Sequence, residues 1–317
     1  MRKTRIFALL LVLCLLLTGC GSTQTPLERT AEYLKTAVPE PDFGSLDGDW
    51  IVFGLARAGA DLSDDYFERY YSAVEAAVQA ADGKLDENRY TEYSRLILAL
   101  TAIGRDPQNV GGYDLLLPLA DLKKTTAQGV NGAAFALLAL DCCGYEIPLD
   151  PEAAVQATRD GYVDVILAQQ NPDGGWSLGG GASDPDLTAM ALQALAGYRS
   201  RTDVSASADA GLSCLAQMQQ EDGAFLSWGA ESSESVSQVL VALTALGLSP
   251  DDARFVKNGQ TLEEVLLRFA QNDGSFVHTQ GDGGNLLATT QAFYALAAVQ
   301  RARDGKTSLY DMSDVAP

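Results

Sequence analysis

Cysteine, histidine and basic residues are scarce in this chain of 317 residues, and each scarcity removes a class of function. There are five cysteines and one histidine. A zinc site needs thiolates, imidazoles or carboxylates converging tetrahedrally, and the stock of the first two is poor. Beyond residue 20 only Cys142, Cys143 and Cys214 remain. They are too few for a disulfide framework and read as small buried apolar residues. Lys and Arg number 22 against 42 Asp and Glu, a net charge of −20. That balance argues against nucleic acid and anionic lipid surfaces as partners. Sustained strand alternation is also missing.

The N-terminus has the one feature that does not belong to a fold. Arg2, Lys3 and Arg5 precede the apolar run IFALLLVLCLLLTG, which ends at Cys20. The run is shorter than the ~20 residues a membrane span needs. Leu17-Thr18-Gly19-Cys20 resembles the bacterial lipobox, in which the cysteine is acylated and becomes the first residue of the mature chain. Residues 1–19 are therefore expected to be a lipoprotein signal peptide, and residues 20–26 a lipidated cysteine with a short tether. The mature protein, with 19 basic and 42 acidic residues, is expected outside the cytoplasm, held to a membrane through the lipid on Cys20.

What remains is repetitive. The pattern A-L-x-A-apolar recurs at 99–103, 136–140, 191–195, 242–246 and 295–299, with a degenerate copy at 54–58. Its leucines, Leu55, Leu100, Leu137, Leu192, Leu243 and Leu296, are spaced by 45, 37, 55, 51 and 53 residues. That is the period of a helix hairpin. A second pattern, Asp-Gly-x-bulky, precedes several copies: DGKL at 82–85, DGGW at 173–176, DGAF at 222–225 and DGSF at 273–276. Asp-Gly is turn chemistry, and the bulky residue is placed to pack back against the hairpin.

Between the A-L-x-A segments lie amphipathic ones with start signals. Ser63 opens a run to Ala81, Asp150-Pro151-Glu152 a run to Gln169, Ser205 a run to Gln219, and Thr261 with Glu264 forms a capping box. LERTAEYLKTA near residue 30 and a short run from Tyr113 to Ala120 complete the set. Twelve helices of alternating character predict an all-α fold, an (α/α)6 toroid over 27–303 with inner and outer rings. Residues 304–317 read as a polar C-terminal tail.

At this point the residues suggest relatives. AQQNPDGGW, AQMQQEDGAF and RFAQNDGSF resemble the Q-x-x-D-G-x-W/F repeats of squalene–hopene cyclases and protein prenyltransferase β-subunits. DPDLTAMALQAL resembles the D-x-D-D-T-A stretch of class II terpene cyclases. The same toroid is found in cobalamin binders of the intrinsic-factor and transcobalamin kind. The fold hosts cyclisation, prenyl transfer and ligand capture, so the resemblance implies the fold more than one activity.

By resemblance Asp186 is the cyclase general acid, yet Leu187 stands where the motif has its last aspartate. From the residues alone, Asp184, Pro185 and Asp186 read as N-cap, N1 and N2 of a helix. The prenyltransferase zinc pattern is matched poorly: Asp141-Cys142-Cys143 ends its helix where the family's pair begins one, and His278 reads as a loop residue. No metal and no cofactor is expected.

If the inner helices run one way round the ring, their N-termini form a mouth of Trp50, Tyr93, Asn131, Asp186, Thr188, Ser237, Gln238, Thr289, Thr290 and Gln291. Neutral polar groups over an apolar interior describe a ligand pocket. The sequence therefore points to a lipoprotein that binds a small molecule, corrinoid-like by one resemblance, with a separate partner protein completing the site. The alternatives are a degenerate class II terpene cyclase with Asp186 as general acid, an interaction module, and an (α/α)6 carbohydrate-active enzyme pairing Asp186 with Glu92 or Glu234.

Overall fold

A computed structural model describes residues 24–44, 48–63 and 65–315. The signal-peptide and Cys20 expectations, and most of the tether, lie outside the described residues. Among the described residues no helix is long and apolar enough to cross a membrane.

Among the described residues twelve α-helices follow one another: α1 Pro26–Ala37, α2 Trp50–Ala58, α3 Tyr66–Ala80, α4 Thr91–Ala102, α5 Leu122–Thr125, α6 Val130–Asp141, α7 Arg159–Ala168, α8 Pro185–Leu195, α9 Thr202–Met218, α10 Ser233–Ala245, α11 Leu262–Leu267 and α12 Leu286–Arg303. The even-numbered helices pack neighbour on neighbour, α2–α4–α6–α8–α10–α12, and α12 packs back on α2, so the ring closes. Closure follows from composition. The inner helices carry apolar or small residues on nearly every side; in α10 all residues from Ser233 to Thr244 are buried. Such a helix must be surrounded. The odd-numbered helices bury one face only, as in α3, where Tyr66, Tyr70, Val74 and Val78 are the buried set.

The Asp-Gly-x-bulky repeat builds the same turn three times. Gly174, Gly223 and Gly274 sit at φ of 90°, 88° and 94°. A Cβ on Gly174 would stand 2.8 Å from Ala210 O, and one on Gly274 2.6 Å from Arg29 O. Glycine is thus required by both dihedral and space. Each turn delivers its bulky residue into the core: Trp176, Phe225 and Phe276 are all buried.

Some expected boundaries move. Asp150 and Pro151 start no helix; Thr158 caps α7, which begins at Arg159. The side chain of Gln156 draws the 148–157 segment into a loop by bonding Asp150 N and Pro148 O. The third outer element is a 3₁₀ turn at Leu117–Ala120 followed by the short α5. A two-residue ladder, β1 Leu226–Ser227 with β2 Ala230–Glu231, breaks the all-helical pattern. Cys142 and Cys214 are buried free thiols, but Cys143 is exposed. It follows Cys142 past the last turn of α6 and so points outward.

The segment after α12 is polar in composition yet buries Leu309, Tyr310 and Met312. It lies under the C-terminal ends of the inner helices, opposite the mouth.

Candidate active site

The N-termini of the inner helices do converge, and their second helical residues carry much of the chemistry. That position is Glu92 in α4, Asn131 in α6, Asp186 in α8 and Glu234 in α10. The side-chain oxygen of Asp184 accepts from Asp186 N at 2.9 Å and Leu187 N at 3.0 Å. Asp184 is therefore the cap, and Asp186 is left free of that task.

Asp186 is strongly altered by its surroundings. Burial pushes its carboxyl up to about 6; Asp184 and Glu234 add to the rise, while Ser235 and His278 oppose it. The Ser235 hydroxyl is near without being well aligned: Asp186 Oδ1 and Ser235 Oγ are both buried with no hydrogen-bond partner. Glu234, 7% exposed, accepts from Ser232 Oγ and Ser233 Oγ at 3.2 Å each. His278 Nδ1 lies 2.7 Å from Glu234 Oε2. The loop bearing His278 is fixed to the start of α10, since Ser233 N bonds His278 O at 3.1 Å and Ser233 Oγ bonds Val277 O at 2.8 Å. A rim of three carboxylates and one imidazole results.

On the opposite side of the rim, Asp49 is wholly buried and accepts from Arg95 Nε and Tyr70 Oη at 2.7 Å each. Arg95 also holds Glu92 at 2.6 Å. The guanidinium is committed to these two carboxylates, and the pair fixes α4 against the segment entering α2.

Below the rim an amide row crosses three helices. Gln193 Nε2 donates to Gln238 Oε1 at 3.0 Å, and Gln238 Nε2 donates to Gln291 Oε1 at 2.9 Å and Tyr294 Oη at 2.6 Å. Aromatic rings continue inward. Trp50 lies 5.7 Å from both Phe53 and Phe135 and 6.1 Å from Tyr294, centroid to centroid.

Of the residues expected at the mouth, Gln238 bonds Gln291 below the rim, Trp50 packs on Tyr294, and Asn131 is half-buried at its helix start. The others serve the scaffold. Thr188 and Thr289 accept from the backbone N–H groups of Trp176 and Phe276. Ser237 and Thr290 bond carbonyls one turn back in their own helices. Tyr93 Oη accepts from Leu85 N. Each hydroxyl is spent on a buried backbone group and is turned from the mouth.

The sequence reading passed over Ser235 and Gln193, and His278 as the partner of Glu234. The signal for Glu234 was present: aligned on their caps, Asp184 and Ser232, the two helices put Asp186 and Glu234 in the same register.

Residues 116–252 and 236–314 match the profile of the prenyltransferase alpha-alpha toroid domain. The chain belongs to that family. Its relatives include the drimenyl diphosphate synthase of Streptomyces showdoensis, 30% identical over 162 residues, 49% of this chain and 29% of that protein. The copalyl diphosphate synthase of Streptomyces cyslabdanicus is 29% identical over 296 residues, 90% of this chain and 52% of that protein. The chain thus spans about half the length, or less, of the curated relatives it matches. Among solved structures, the type II terpene cyclase MstE from Scytonema superposes with a TM-score of 0.57 at 11% identity, covering 87% of this chain and 98% of that one. The unsaturated glucuronyl hydrolase of Bacillus sp. GL1 gives 0.55 at 15% identity, covering 90% and 97%. At these identities the two structures share the toroid with this chain. The protein is a terpenoid cyclase/prenyltransferase-like toroid.

Proposed function

We propose that this toroid is a class II terpene cyclase-type enzyme in which Asp186 protonates a double bond of a linear isoprenoid. The observation that carries this reading is the Asp186 carboxyl itself: its Oδ1 is buried and unpartnered, and its pKa is raised to about 6. Such a group holds its proton at rest in mildly acidic conditions. On proton transfer it becomes a carboxylate, and the neighbouring His278 favours that charge. Trp50, Phe53, Phe135 and Tyr294 place π-faces inside the ring, where a carbocation is stabilised by ring quadrupoles.

Non-catalytic binding of a small molecule, corrinoid-like or otherwise, is favoured less. The amides expected to hold a ligand mostly bond one another across the row from Gln193 to Gln291. The relatives, named as terpenoid diphosphate synthases, support the enzyme reading. Carboxylates dominate the rim and Arg95 is already paired, so a neutral isoprenoid suits this mouth better than a diphosphate. The test is product analysis of the purified protein with linear isoprenoid alcohols and diphosphates. Cyclic product that disappears in Asp186→Asn, with the circular dichroism unchanged, is expected. Turnover that survives Asp186→Asn would sink the assignment.

A second reading rests on the register of Asp186 and Glu234: two carboxylates at one rim also suit glycoside hydrolysis. Release of sugar from an oligosaccharide panel, lost in both Asp186→Asn and Glu234→Gln, would favour it. The lipid on Cys20 belongs to the proposal as well. Its test is incorporation of labelled fatty acid, lost in Cys20→Ala.

A further inference from the structure

The segment after α12 is a strap across the closed end of the ring, away from Asp186. Arg57, in the last turn of α2, donates from Nε to Leu309 O and from Nη2 to Asp311 O, both at 2.8 Å. Its Nη1 pairs with Asp314 at 2.8 Å, and Arg301 of α12 reaches Asp314 at 2.6 Å. Met312 N donates to Cys142 O, just past α6, at 2.7 Å. These bonds tie the strap to α12, α2 and α6. A cavity of about 290 Å³ is left where the strap passes the C-terminal ends of α8 and α10.

The C-terminal end of a helix presents carbonyls without intrahelical partners and carries partial negative charge. Along this face arginines meet several such ends. Arg57 stands in the last turn of α2, and Arg301 and Arg303 in that of α12. Arg159 Nη2 donates to Leu140 O of α6 at 3.0 Å. The last turns of α8 and α10 hold no basic residue. Among the described residues that line the cavity there is also no Lys or Arg.

The lining is instead apolar or acceptor-bearing. Leu138, Ala194, Ala245 and Tyr310 give it hydrocarbon walls, and Gln193, Asp141 and Asp311 give it oxygens. Asp141 is already held by Arg159 and Tyr198 at 2.7 Å each. The Asp311 carboxylate takes bonds from Ser313, which leaves its charge without a cation. Gln193 gives its Nε2 to Gln238, while its Oε1 is buried with no hydrogen-bond partner. Gln193 is 3% exposed.

We propose that this cavity is a second binding site, for a small organic ammonium ion. The ammonium N–H groups donate to the Gln193 amide oxygen and to the carbonyls ending α8 and α10, and Asp311 supplies the opposite charge at the open edge. The hydrocarbon body packs on Leu138, the alanines and the Tyr310 ring. At the ~30 Å³ that a water molecule occupies, the volume suits about ten non-hydrogen atoms. The site lies at the other end of α8 from Asp186 and is independent of the reaction proposed there.

The experiment is titration calorimetry of the intact protein with 2-phenylethylammonium. The neutral molecule of the same shape, 2-phenylethanol, and the anion 3-phenylpropionate serve as comparisons. The ammonium should bind about tenfold more tightly than the alcohol, less so at high salt, and the anion should not bind. Gly197 lines the cavity, and a Cβ added there would meet nothing within 4 Å. Gly197→Leu therefore fills the space with little strain and should weaken ammonium binding by about tenfold or more, with the melting curve unchanged. Asp311→Asn keeps an acceptor for Ser313 and should bring the ammonium down to the level of the alcohol. Asp186→Asn should change neither affinity. No binding by the unchanged protein, equal binding of ammonium and alcohol, or full ammonium affinity in Asp311→Asn overturns the site, whether or not the leucine variant folds. Ammonium binding lost in Asp186→Asn would put the cation at the mouth and overturn it as well.

Discussion

Trp176 donates its backbone N–H to the Thr188 hydroxyl at 3.0 Å, and the Thr188 hydroxyl points back at Trp176 O at 3.4 Å. Phe276 and Thr289 repeat the arrangement at 2.8 and 3.3 Å. The bond clamps each bulky turn residue onto the first turn of its inner helix. Thr188→Val keeps the shape and strands a buried N–H, so it should cost about 1–3 kcal/mol in urea unfolding. Trp176→Ala should cost about 3–5 kcal/mol, since the indole fills the core and also bonds Ile166 O. A threonine facing the mouth, as its position alone suggested, would show a stability change near zero in Thr188→Val.

Asp186 makes stability depend on pH. Its pKa is about 6 in the folded chain against 3.8 for the free side chain. A carboxyl raised by folding contributes nothing unfavourable below pH 3.8, where both states are protonated. Stability is then lost as pH rises through about 6, because only the unfolded state releases the proton freely. At roughly 1.4 kcal/mol per unit, the loss above that pH is about 2–3 kcal/mol. Asp186→Asn should therefore be more stable than the unchanged protein at pH 8 and equal to it at pH 3. Equal stability at both pH values would place the carboxyl in water.

The strap should respond to acid in the opposite sense. Arg57 and Arg301 hold the Asp314 carboxyl well below its usual range despite its partial burial. The stability it supplies is present above pH 4 and is lost as pH falls through the lowered pKa. Melting curves between pH 5 and pH 2 should fall more steeply for the unchanged protein than for Asp314→Asn.

Arg95 and Asp49 form a buried pair, with side-chain exposures of 8% and 0%. Arg95→Met leaves Asp49 charged and without its cation, and should cost about 3–5 kcal/mol. Adding Asp49→Asn to the same chain should return part of that loss, which a denaturation series of the single and double variants would measure.

Thiol labelling separates the three cysteines of the toroid. Cys143 is exposed, whereas Cys142 is buried with its thiol pushed up to about 12 and Cys214 is buried with its thiol raised. Iodoacetamide on the folded chain should modify Cys143 alone, read by peptide mass.

Composition and spacing along the chain are enough to dictate the ring. Six A-L-x-A segments that are apolar on all sides have to be enclosed, and the Asp-Gly turns join them to partners with one polar face. The cap at Asp184 was legible for the same local reason: its side chain is within reach of the next turn whatever surrounds it. Thr188, twelve residues after Trp176, was expected at the mouth and shows where local rules stop. A hydroxyl near a helix start faces solvent or a backbone donor according to what the preceding turn packs beneath it, and only tertiary structure brings Trp176 N there. The same holds for the acid. Neighbours on other elements, Glu234, Ser235 and His278, together with burial, decide the pKa of Asp186. Those elements lie tens of residues away, and the ring brings them to one rim. Tyr310 is the clearest case, since a polar-looking tail became part of the core only because Arg57 and Arg301 give its carbonyls and Asp314 buried partners.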